Sequence, residues 1–118
     1  MALYLIAFND EWVPEHTLEE LQRKAASARA LIEEMTTAGV FVFSDGGLDA
    51  STVVCSVDPG SGSPIFTDGP YTETKEHLGG FAVVDVADEQ AARLWAGKIA
   101  VACGWPQEVR RFRYVTPR

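Results

Sequence analysis

The stretch "GFAVVDVADEQAARLWAGKIAVACGWP", Gly80 to Pro106, carries the architecture in its order. Gly80 to Val86 is a β-branched, apolar run that reads as a strand. Asp88 then stands where a helix N-cap belongs. Ala91, Trp95, Ile99 and Ala102 share one helical face until Gly104 and Pro106 stop the helix. The chain opens with the same succession. "ALYLIAF", Ala2 to Phe8, is short and apolar on both faces, as in a strand from the middle of a sheet. After a polar loop, Thr17-Leu18-Glu19-Glu20 forms a capping box, and Leu18, Leu21, Ala25, Ala28, Ile32 and Met35 make an apolar stripe ending before Gly39. Between these units "VFVFS" (40–44) and "TVVCSVD" (52–58) read as neighbouring, paired strands. "PIFT" reads as a short returning strand that completes a hairpin. "QEVRRFRYV", Gln107 to Val115, reads as the closing strand.

Strand, helix, strand, strand, helix, strand is the order of the split βαβ, or ferredoxin-like, arrangement. The expected fold is therefore α+β: an antiparallel sheet with both helices on one face, and an extra β-hairpin ahead of Asp68-Gly69-Pro70-Tyr71. The other face of the sheet keeps apolar side chains and needs a second cover. A second copy of the chain is the simplest one, which predicts a two-fold homodimer. No linker, internal repeat or low-complexity segment divides the 118 residues, so one domain is expected over residues 1–118.

Composition narrows the function. With 47% hydrophobic and 23% charged residues the chain is globular rather than disordered. A net charge of −7 argues against nucleic-acid binding, which depends on neutralising phosphates. Arg110, Arg111 and Arg113, interleaved with Phe112 and Tyr114, would suggest nucleic acid on a basic protein; here they read as strand residues facing water or pairing across a dimer. No apolar run is long enough to cross a bilayer, and Met1-Ala2-Leu3-Tyr4 lacks the basic start of a secretory signal, so a cytoplasmic location is expected. Cys55 alternates with Val53 and Val57 and reads as a core thiol, while Cys103 falls at a helix end. Without C-x-x-C spacing, two free thiols and no metal are expected. The glycine pairs lack the spacing of a dinucleotide or P-loop motif, so no nucleotide cofactor is expected either.

The segment "TDGPYTETKEHLGG", Thr67 to Gly80, concentrates the remaining chemistry. Asp68-Gly69-Pro70-Tyr71, Glu73-Thr74-Lys75-Glu76 and Leu78-Gly79-Gly80 resemble the motif DGPF-x-E-T-K-E-x-L-G-G of the DGPF branch of the YCII-related family. Tyr71 replaces the motif's Phe, and His77 stands where relatives often carry Gln. The resemblance implies a ferredoxin-like dimer of the dimeric α+β barrel type. Its relatives include uncharacterised proteins, some linked to sigma factors, and a few enzymes acting on chlorinated aromatic breakdown products. Compact relatives carry a His within the first helix; here that region reads Ala26-Ser27-Ala28, and His16 lies before the helix.

Two readings of the motif stay open. As structure, Asp68 fixes a turn by accepting a backbone N–H beyond Pro70, and Glu73, Lys75 and Glu76 form a solvated face. As chemistry, the motif edges a pocket near the dimer interface. Asp68 and His77 would transfer protons, Lys75 would attract an anion and Tyr71 would add an aromatic wall. Asp45 is a further candidate at such a pocket, though Ser44-Asp45-Gly46-Gly47 also reads as a turn. Trp12 and Trp105 are core anchors or pocket walls, packing being the favoured role. The expected function is binding of a small, anionic aromatic molecule with metal-free acid–base chemistry. The alternative is a noncatalytic accessory or regulatory protein associated with a sigma-factor system.

Overall fold

The computed structural model describes residues 2–44, 46–49, 54–69 and 76–113. Strand β1 (Ala2–Asn9) runs into a single 3-10 turn (Asp10–Trp12), followed by α1 (Leu18–Thr37) and β2 (Phe41–Phe43). Strands β3 (Cys55–Asp58) and β4 (Ile65–Asp68) come next, then β5 (Leu78–Val86), α2 (Glu89–Cys103) and β6 (Glu108–Arg111). Four strands form one antiparallel sheet in the order β2-β5-β1-β6. Inserting β5 between β1 and β2, and β1 between β5 and β6, interlocks two split βαβ units, the ferredoxin-like α+β arrangement.

Local chemistry sets the helix ends. Thr17 Oγ1 accepts the Glu20 N–H at 3.1 Å and donates to Glu20 Oε1 at 3.3 Å. Asp88 Oδ1 accepts the Ala91 N–H at 2.8 Å. Gly104 closes α2 at φ +89°, in the left-handed region where only glycine rests without a Cβ penalty.

Strand alternation then divides the sheet. Tyr4 and Ile6, opposite Val84 and Ala82, face the helices and are buried with Val86. Leu31 and Met35 of α1 and Ala92, Trp95, Ala96 and Ile99 of α2 close this core. Leu3, Leu5, Ala7 and Val83 point the other way, and none of them is buried. Phe43, opposite Val83 and 52% exposed, sets its ring beside Phe81 on that uncovered side.

Three expectations are corrected. "VFVFS" and "TVVCSVD" are not paired: β2 joins β5, and β3 pairs with β4 in a separate two-stranded sheet. Cys55 is consequently not a core thiol. It is half-buried on this hairpin arm, with Val57 exposed beside it; Val53 lies outside the described residues. The α1 stripe is buried only in its second half, because Leu21, Ala25 and Ala28 face open space rather than packed side chains. The closing strand is short, and Tyr114 and Val115 lie outside the described residues. Among the described residues no helix is long and apolar enough to cross a membrane.

A cavity between the helices and the sheet

The unfilled half of α1 overlies a cavity of about 260 Å³ on the helix side of the sheet. Leu21, Lys24, Ala25 and Ala28 form its roof, Phe8 and Ala82 belong to its floor, and Cys103, Trp105 and Gln107 close one side. Ser44, Gly46 and Gly47 line it where β2 ends. β1 and β5, with the residues that follow β2 and precede β6, therefore contribute from the same end.

The glycines closing the sequence motif shape one wall. The Phe8 ring lies across Gly79 and Gly80, so that a Cβ built on either would stand 2.7 Å from a ring carbon. A register shift at Phe8/Asn9 brings both glycines under the same ring. Gly47 bridges to Gly80, and the Leu48 N–H donates to Gly79 O at 2.7 Å, extending the sheet along the cavity edge.

Trp105 follows Gly104, whose left-handed turn ends α2, and stands beside the Phe8 wall. Its ring meets Phe8 edge-on at 5.2 Å, and Lys24 Nζ lies 5.0 Å from its centroid. Such a cation–π contact contributes about 0.5–1 kcal/mol at an exposed site and more when desolvated. Trp105 thus takes the pocket-wall role rather than that of a core anchor. Trp105 Nε1 and Gln107 Nε2 are sealed from solvent and have no acceptor among the described residues. Because both nitrogens are covered, they do not open on the cavity. Burial pushes the Cys103 thiol above its usual range, an effect the nearby Lys24 charge opposes.

At the same end of the sheet, His77 is held by the 3-10 turn. Its Nδ1 lies 2.6 Å from Glu11 Oε1, its N–H donates to Glu11 Oε2 at 3.3 Å, and its carbonyl accepts the Asp10 N–H at 2.8 Å. The hydrogen bond from the His77 side chain holds the Glu11 carboxyl below the usual carboxylate range, helped by backbone N–H groups. Asp68 ends β4 on the hairpin arm, exposed, and no hydrogen bond or ion pair joins it to His77. Gly69 follows at φ +82°. His16 is tied locally to the Pro14 carbonyl at 3.0 Å. Asp45, Tyr71 and Lys75 lie outside the described residues, as does the turn beyond Pro70. Among the described residues no three His, Cys, Asp or Glu side chains converge as a metal site.

The domain model of the YCII-related family matches residues 2–105. The chain belongs to the YCII-related family. No curated protein matches it in sequence. The family match runs from β1 through Trp105, so it includes Phe8 and Lys24 of the cavity, Gly79 and Gly80 against the Phe8 ring, and Glu11 and His77. Of these, only His77 and Trp105 were candidates in the sequence. Phe8 and Lys24 were hidden because a cavity is defined by what leaves it unfilled, and Glu11 because it lies 66 residues from its partner.

Proposed function

We propose that this YCII-related protein is a homodimer that binds a small, largely apolar molecule of ring size in the cavity beneath α1. The cavity itself carries the reading: about 260 Å³ of space walled by Phe8, Trp105 and the small Ala25 and Ala28. An apolar cavity of about 150 Å³ takes up benzene, so this one has room for a substituted ring. Binding sites of this kind are concave, mostly apolar, and edged by a few polar groups. His77, held by Glu11 at the same end of the sheet, does not line this cavity, so the proposed role is binding, with no proton-transfer step assigned. Titrating neutral benzyl alcohol into labelled protein should shift the Trp105 indole and Ala28 amide resonances. Shifts confined to residues far from the cavity, or none, would refute the binding reading.

The dimer rests on the uncovered face. Leu3, Leu5 and Val83 stay unburied there, and Val54, Ile65 and Phe66 of the hairpin arm are exposed. The chain is a slab with a shortest extent of 19 Å and a radius of gyration of 16.4 Å. A compact domain of this length has a radius of gyration of about 13.5 Å. A second copy laid sheet to sheet supplies the missing layer. The accessory-protein reading takes second place; it is favoured by Leu94 and Val101, 60% and 85% exposed along one side of α2.

A further inference from the structure

Among the described residues the cavity has one charged lining residue, Lys24, and no acidic one, in a chain with 17 Asp and Glu against 10 Lys and Arg. A comparison within the molecule sharpens this. Lys98 also lies over a tryptophan, 4.9 Å from the Trp95 centroid, but its Nζ is paired with Glu34 at 2.6 Å. Arg93 and Arg110 are likewise paired, with Glu89 and Glu108. Lys24 stacks on Trp105 in the same manner, yet no carboxylate among the described residues pairs with it. Gly104 keeps its surroundings open, since a Cβ there would stand 3.1 Å from Nζ. Burial raises the Cys103 thiol pKa, which disfavours a negative charge at this end of the cavity.

We propose that the ligand is a small organic monoanion, a ring-sized apolar body bearing a single carboxylate or phenolate oxygen group, with Lys24 as its counter-charge. This rests on the cavity being the binding site. An apolar enclosure strengthens the attraction between unit charges relative to water, so the charge discriminates among molecules of equal size. The competing role for Lys24 is to complement the carbonyl end of α2, whose last turn contains no basic residue.

Calorimetric titration with benzoate and with benzamide, which share a ring and nearly a shape, separates these. Benzoate should bind at least about tenfold more tightly, tenfold being about 1.4 kcal/mol. Lys24→Met should abolish that preference, and Lys24→Arg should retain it. Equal affinities in the wild type would overturn the charge inference alone, leaving the cavity reading intact. So would a lower melting temperature in Lys24→Met with an unchanged preference, the signature of a helix-end role. Failure of both probes to bind would remove the cavity reading and this inference with it.

Discussion

Gly80→Ala should unseat the Phe8 wall of the cavity. The added methyl would stand 2.7 Å from Phe8 Cζ and 2.8 Å from Cε1, with the Gly46 carbonyl oxygen 3.3 Å away. Carbon atoms rest at about 3.5–4.0 Å, so the ring must move by about 1 Å. Gly80 does not have a positive φ, so alanine brings no left-handed backbone strain and a loss reports crowding, chiefly against the ring. Overpacking of this kind costs about 1–3 kcal/mol, offset by the roughly 0.4–1 kcal/mol that Gly→Ala gains by restricting the unfolded chain. The net loss of up to about 2.6 kcal/mol corresponds to a melting temperature lower by up to roughly 10 °C. Urea unfolding at fixed protein concentration would measure it, since the stability of the proposed dimer would depend on concentration. Phe8→Leu removes the clash, so in that background Gly80→Ala should be neutral or stabilising, with a coupling of at least about 1 kcal/mol. Equal costs in the two backgrounds would refute the contact.

Ala28→Leu should fill the cavity: three added carbons at about 0.8 kcal/mol each predict a gain of up to about 2 kcal/mol and loss of benzyl alcohol binding. A destabilisation above about 1 kcal/mol would mean that the space is not there. The Glu11 carboxyl should titrate below the usual glutamate range by carbon-detected NMR and return toward it in His77→Phe. A carboxyl depressed in the folded state stabilises above its unfolded pKa. The 3-10 clamp should therefore hold at neutral pH and loosen as pH falls through the depressed value, seen as faster exchange of the Asp10 amide. An unchanged Glu11 midpoint in His77→Phe would contradict the pairing. Leu5→Glu, opposite Val83 on the uncovered face, should give a folded monomer of 12.9 kDa in sedimentation; a persisting dimer would show that this face is not the interface.

What could be read from the sequence follows the range of the physics involved. The caps at Thr17 and Asp88 and the stop at Gly104 act within one helical turn, so they were legible, as was the strand–helix order. Strand partnership is not local. The run through Cys55 and Val57 alternates in the same way whether it lies in the main sheet or on an arm, and only the loop closing at Gly60 and Gly62 favours β4 as its partner. The cavity had a faint signal that periodicity conceals. Leu21, Ala25 and Ala28 keep helical spacing with Leu31 and Met35, but their small members cannot span the same gap to the sheet. A stripe that turns from large to small residues marks where a helix stands off its sheet as readily as where it packs closely. The motif itself divides at this point. Asp68 belongs to the arm, His77 to the clamp and Gly79-Gly80 to the seat of the Phe8 ring, so its residues lie together in sequence while serving three different parts of the structure. The glycines are the part that sequence reasoning passed over. Their requirement is an absent side chain, which becomes visible only once β1 brings Phe8 across them.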